Sequence, residues 1–279
     1  MAIIFNEGAV PAESAGQGAS RKHLLTQARV PGTRILLDRL ALAAGSSVAL
    51  EVPGQSVAWL QGLEGEGKLN FGGSRQTLTD AHVAFLPPGF EGTLTSTTGG
   101  ALLYGEIPNA GALDANFAKN PPPFRLMDWT REPVLDSEHD ARKRIYLVTP
   151  KLFGTKAVKG EMIIYPPGTA AANHHHEGAE HFMYVLRGRG TVYANEKPFP
   201  VRKDDVIYYP DRERHYLEAA ADEEMAFAEF FAPAEFKTIW VDDSQICTWH
   251  PTGRDIRGQV PVREIKAHSS ADVLSPQDV

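Results

Sequence analysis

From Arg34 onward the chain alternates short apolar runs with turn residues. Up to Pro108 the runs are Ile35–Leu37, Ser47–Val52, Val57–Leu60, Lys68–Phe71, His82–Leu86 and Ala101–Tyr104. Gly72, Gly73 and Pro87–Gly89 punctuate them. Runs of this length, bounded by turn formers, predict the strands of a small β-sandwich or barrel. The same rhythm returns in Arg144–Val148, Glu161–Tyr165, His181–Leu186, Gly190–Ala194, Asp205–Tyr209, His215–Glu218 and Met225–Phe231. Three stretches break it. Residues 1–22 are small and polar and read as a loose leader. Residues 109–143, with Asn120–Pro123 and a charged run from Arg131, read as a linker containing a helical turn. Residues 236–279 hold Trp240 and Trp249 among polar runs and read as an arm packing on a barrel or on a second subunit. The expected organisation is therefore one β domain at 23–108 and another at 144–235.

The halves repeat each other. Gly45, Leu63–Leu69, Asp80 and Pro87–Gly89 are matched in order by Gly168, Leu186–Val192, Asp205 and Pro210–Arg212. A duplicated unit is the economical explanation.

Composition narrows the function classes. The 279 residues carry a net charge of -7, which disfavours a nucleic-acid or acidic-membrane surface. It leaves anionic small molecules open, because a metal dominates the field of its own pocket. Hydrophobic residues make up 42%, enough to bury a core, and 25 glycines with 20 prolines suit a turn-rich β protein. Cys247 is the single cysteine, so no intrachain disulfide forms and a reducing, cytoplasmic setting is expected. The start lacks a basic segment and a long apolar core, so no signal peptide is expected. No run approaches the roughly 20 apolar residues of a membrane span.

The candidate chemistry lies in the second half, as Gly168-x5-His174-x-His176-x4-His181-x6-Gly188 followed by Pro210-x-Arg212-x2-His215. His174 and His176 are two apart and share one face of a strand. His181 and His215 begin later strands, so four imidazoles can converge inside a barrel. Neutral imidazole suits iron, manganese, nickel, copper or zinc better than magnesium or calcium. A single histidine is more often exposed or a satisfied core residue; four at this spacing argue for a divalent transition metal, iron or manganese first. His175 and Glu177 should face away.

These segments resemble the two cupin motifs. In the first, two histidines one residue apart and a glutamate precede a glycine; in the second, a proline and a glycine precede a last histidine. The likeness spans about 35–108 and 144–232. It implies two tandem jelly-roll β-barrels, a bicupin, binding one metal through the motif residues. This chain departs at the glutamate. The count to Gly188 puts His181 in that place and is favoured, while Glu180, directly before it, fits a shorter permitted gap. Four imidazoles would leave the metal at charge +2, whereas three with a carboxylate reduce it by one. On the same frame the first half offers Glu51, Pro53, Ala58 and Gly92, so the N-terminal barrel keeps the fold and lacks the ligands.

With His181 inward, Met183 and Val185 face in, and Phe182 and Tyr184 face out, against a covering segment, the other barrel or a second subunit. Glu180, Glu229 and Tyr209 are the catalytic candidates; Tyr208 and Arg187 are alternatives. Cupins host many reactions. Three readings follow: an Fe(II)-type dioxygenase of a small oxygenated acid or ketone; a manganese-dependent hydrolase or isomerase resembling the glyoxylate-induced and ureidoglycine aminohydrolase bicupins; and a non-enzymatic small-ligand binder. The expected partners are a small-molecule substrate and further copies of the chain, as a homodimer or larger homo-oligomer.

Overall fold

A computed structural model of the protein describes residues 1–242, 244, 246–266 and 268. The chain divides into two compact units, neither continuous in sequence. One comprises Glu7–Trp129 with Phe153–Ala157; the other comprises Met1–Asn6, Thr130–Leu152 and the described residues from Val158 onward. Both are built from antiparallel strands, and the one described α-helix, Pro150–Phe153, is a single turn.

The first unit is a nine-stranded sheet. Its spine is the long strand Leu36–Glu51, whose first half pairs with Gly100–Ile107 and whose second half pairs with Glu91–Ser96. A strand shared between two neighbours in this way carries the sheet around a corner. Alternation sends Leu40, Leu50, Leu60, Leu94 and Leu102 into one buried cluster. Gly65 ends the strand Val57–Gly65 at φ +69°, and a Cβ there would lie 2.3 Å from the Gly99 carbonyl oxygen. Only glycine fits such a place without displacing backbone.

The second unit has two sheets. The eight-stranded sheet runs Ile3–Asn6, Asp205–Tyr209, Glu180–Arg187, Met225–Ala232, Lys159–Tyr165, Lys143–Val148, Val134–Ser137 and Trp249–Pro251. The five-stranded sheet runs Lys197–Arg202, Arg189–Ala194, His215–Ala219, His174–Glu177 and Lys237–Trp240. Between them Ile163, Met183, Val185, Val192, Ile207, Leu217 and Phe227 form the core. Gly188 repeats the geometry of Gly65, at φ +75° with a Cβ position 2.1 Å from the Glu224 carbonyl oxygen. Phe182 and Tyr184 lie on the face opposite Met183 and Val185, as alternation requires, and both are buried.

Three expectations about the flanking segments need correction. Residues 1–22 are not a loose leader: Ile3–Asn6 pairs with Asp205–Tyr209, and Glu13–Leu25 pairs with Leu36–Glu51. Residues 109–143 are not simply a linker, because Arg125–Asp128 extends the first unit's sheet and Val134–Ser137 the second's. The expected arm supplies strands too, with Lys237–Trp240 on His174–Glu177 and Trp249–Pro251 on Val134–Ser137. Within that arm Asp243, Gln245, Ala267 and Ser269–Val279 lie outside the described residues. For Ile3–Asn6, Lys237–Trp240 and Trp249–Pro251 the pairing partner is remote in sequence, whereas Glu13–Leu25 and Val134–Ser137 pair with the next strand along the chain and were hidden by their polar composition.

Candidate metal centre

Five potential ligand side chains meet between the two sheets of the C-terminal unit. His174 and His176 come from the strand His174–Glu177, and His215 opens its neighbour, directly opposite His174. His181 comes from the eight-stranded sheet, where it pairs with Phe231; Glu229 lies two residues before that phenylalanine and on the same face. The ring centroids of His174 and His215 are 4.4 Å apart, those of His181 and His215 4.7 Å, and those of His176 and His181 5.0 Å. Ligand atoms of His174, His176 and His215 lie within 4.8 Å of one another, as do those of His176, His181 and Glu229. His176 belongs to both triads.

The hydrogen bonds of these rings fit a metal. Nδ1 of His174 faces the Ala172 carbonyl oxygen at 2.8 Å, and Nδ1 of His215 faces the Glu213 carbonyl oxygen at 2.8 Å. A carbonyl only accepts, so in both rings Nδ1 carries the proton and Nε2 keeps its lone pair. His176 Nδ1 meets the Thr238 hydroxyl at 3.2 Å. Nε2 of His215 and both nitrogens of His181 are buried without a hydrogen-bond partner. Orphaned imidazole nitrogens facing a common point are expensive unless something binds there. Outer partners holding the remote nitrogen are how proteins orient such ligands.

Electrostatics keeps the lone pairs free. Burial pushes the His174, His176 and His181 imidazoles well below their usual range, and each is lowered further by neighbouring imidazoles. Burial brings His215 down to about 4 against the pull of its Glu213 hydrogen bond. Glu229 is driven the other way, first by burial and then by the charge of Glu161; Arg144 and Lys159 offset part of this. Its Oε1 is 3.3 Å from His181 Nε2.

The catalytic candidates separate. Glu229 joins the imidazoles, and the Tyr209 ring stacks on His215 at 4.4 Å. Glu180 does not join them: it faces the other side of its strand, where its Oε2 accepts a 2.6 Å hydrogen bond from the Tyr208 hydroxyl. Tyr208 goes with it, and Arg187 is spent on a surface pair with Glu224. His175 pairs with Glu177 at 3.6 Å.

Sequence reading passed over a cationic wall. Arg144 Nη2 is 3.3 Å and Lys159 Nζ 3.4 Å from the buried Glu161 carboxylate, which lies opposite Glu229 on the paired strands. The Lys159 ammonium is 5.6 Å from the centre of the Phe231 ring, which stacks on His181. Arg144 Nε is buried and has no acceptor. The signal was present in Lys159–Tyr165, where Lys159 and Glu161 share the alternation that turns Ile163 and Tyr165 inward.

Residues 161–231 match the family described as Cupin domain. The polyketide synthase protein CurC of Streptomyces cyaneus is 31% identical over 87 residues, which are 31% of this chain and 56% of that protein. The chain thus spans little more than half the length of the curated relatives it matches. A solved structure of a glyoxylate-induced protein of Pseudomonas aeruginosa superposes with a TM-score of 0.70 at 14% identity, covering 86% of this chain and 92% of that one. A variant of the oxalate decarboxylase OxdC of Bacillus subtilis gives 0.68 at 15%, covering 86% and 79%. Residues 161–231 thus match a cupin domain, and the chain as a whole has the two-barrel fold of these solved structures.

Proposed function

We propose that the chain is a metal-dependent enzyme acting on a small organic acid. It would hold iron or manganese in the C-terminal unit and use O2 as co-substrate in a dioxygenase reaction. Both oxygen atoms enter the organic product, so no separate reductant is required. The reading rests on one observation: neutral imidazoles with unpartnered nitrogens converge beside Arg144 and Lys159.

His174, His176, His215 and His181 would hold the ion, with Glu229 beside them and two positions left open. The ion would supply Lewis acidity and open positions for two oxygen donors. The Arg144 guanidinium, through its unpaired Nε, is placed to receive the acid's carboxylate, with Lys159 as its neighbour. Phe231 and Phe236, whose rings are 4.3 Å apart and both touch His176, keep water from this end of the site. Glu229 Oε1 is placed to take the proton that an enol or hydroxyl of the substrate gives up.

Glu229 also favours a second reading, redox-neutral manganese chemistry such as hydrolysis or decarboxylation. A carboxylate among the ligands suits a hard ion, and the solved oxalate decarboxylase carries Mn(II) centres. Metal analysis of protein purified without a histidine tag, followed by O2 uptake with diketones and 2-hydroxy or 2-oxo acids, separates the two. Iron with stoichiometric O2 consumption supports the dioxygenase. Manganese with CO2 or ammonia released and no O2 consumed supports the second reading. A metal content that His176→Ala leaves unchanged would sink both.

A further inference from the structure

The strand Lys143–Val148 turns Arg144 and Tyr146 to one face, opposite Ile163 and Glu161. Tyr146, Glu161 and Glu229 lie side by side on three paired strands, and Glu229 reaches His181. Tyr146 therefore stands on the wall of the metal centre, two strands from the carboxylate beside it. What meets its hydroxyl comes from the far end of the described chain. The Val262 amide donates to the Arg131 carbonyl oxygen at 2.9 Å, Arg263 Nε donates to Glu132 Oε2 at 2.6 Å, and Ile265 is buried in the core cluster. These contacts bring His268 onto Tyr146, with Nε2 2.7 Å from the phenol oxygen and the two rings stacked at 5.9 Å.

Neighbouring groups fix the direction of that hydrogen bond. Arg144 Nη1 donates to the Tyr146 oxygen at 3.5 Å, and a guanidinium accepts nothing in return. Among the described residues the phenol proton then has one acceptor, His268 Nε2. Burial, and after it the charges of Arg144 and Lys159, bring the His268 imidazole down to about 3, so the ring is neutral and carries a single proton. That proton is on Nδ1. His268 Nδ1 is buried without a hydrogen-bond partner, and so is Arg144 Nε. Two N–H donors lacking acceptors thus belong to side chains that meet at one tyrosine, and Lys159 Nζ lies 5.2 Å from the centre of the same ring. Glu161 offsets one of the two cations. Buried donors left unpaired are costly unless a ligand supplies the acceptors, and the surplus positive charge calls for an anion.

We propose that His268 is a substrate-binding residue of the C-terminal site, its Nδ1–H donating to an oxygen of the organic acid whose carboxylate Arg144 receives. The inference rests on the role given to Arg144 above. It makes the segment Val262–His268 part of the pocket rather than a covering of the barrel.

Calorimetric titration of the full chain, at its purified metal content, with succinate and 2-oxoglutarate tests this, with butylamine as the cationic control. At least one acid should bind saturably and butylamine should not. His268→Ala should keep its metal and weaken that acid about tenfold, the scale of a hydrogen bond to a charged group. His268→Asn, whose amide N–H falls near the position of Nδ1, should restore most of the lost affinity. Its side chain is too short to replace Nε2 against Tyr146, so a histidine that merely anchors the segment would not be rescued. Equal losses in the alanine and asparagine variants therefore overturn the proposal. An acid that binds His268→Ala as tightly as the wild type, yet loses affinity in Arg144→Gln, also overturns it and leaves the role of Arg144 standing. Absence of saturable binding by both acids overturns it together with that role.

Discussion

His176 is shared by both ligand triads, so it is the imidazole whose loss the centre tolerates least. His176→Ala should abolish stoichiometric metal, read by mass spectrometry of the purified protein. Glu180→Gln should leave the metal in place, because its carboxylate serves Tyr208. This pair of variants also shows how far the sequence could be read at the ligands. Strand periodicity points Glu180 and His181 to opposite faces, but choosing between them needs the register, and the register is set by the neighbouring strands. Arg144→Gln should keep the metal and raise KM about tenfold for a carboxylate substrate, the scale of one charged hydrogen bond. An unchanged KM would remove Arg144 from substrate binding. Thr238→Val strips His176 of its Nδ1 partner and should weaken metal affinity about 10-fold to 100-fold, as loss of such outer partners does.

The strand Ile3–Asn6 does more than cover the edge of Asp205–Tyr209. Ile4 packs on the core, and the Ala2 amide donates to Glu213 Oε1 at 3.1 Å. The Glu213 carbonyl in turn orients His215. Removal of residues 1–6 should therefore cost the C-terminal unit about 3 kcal/mol, from lost apolar burial and ladder hydrogen bonds. It should also weaken metal binding. Chemical denaturation and metal titration of the truncated chain check the two effects, and a truncated chain with an unchanged denaturation midpoint would contradict the first. Nothing local in residues 1–22 announces this strand, since its partner lies about two hundred positions away. The turn glycines are the opposite case. Gly188 stood out in the repeat, and its positive φ with a carbonyl oxygen against the Cβ position is the physical reason. Gly188→Ala should lower the stability of the unit by more than about 2 kcal/mol.

For the whole molecule the buried imidazoles set the acid limit of the metal-free protein. Their folded values lie below the unfolded one, so the unfolded chain binds more protons as pH falls through the usual histidine range. Their contribution is fully present above about pH 6.5 and is lost as pH falls toward the folded values, which for His215 means about 4. His215 alone accounts for about 3 kcal/mol across that window. Glu229, raised rather than lowered, opposes this slope above the usual carboxylate range, one carboxyl against four imidazoles. Thermal melts of the apoprotein between pH 7.5 and 4.5 should show the melting temperature falling with acidity. His215→Asn should flatten that fall. Added metal should oppose it, since the ion competes with protons for the same nitrogens.

By itself the sequence determined the β architecture, its duplication, and the convergence of four imidazoles in one half only. Each follows from short-range rules: turn residues bound the strands, and a period of two decides which neighbours share a face. Tertiary structure decided what comes from elsewhere in the chain. It carried Ile3–Asn6 and Lys237–Trp240 into the second unit, brought Glu229 to His181, and set Arg144 and Lys159 beside the site. Such neighbours meet only through long-range strand pairing, which no local pattern encodes. The clustering of the imidazoles was therefore legible in the spacing, while the groups that would surround a substrate became visible only in the fold.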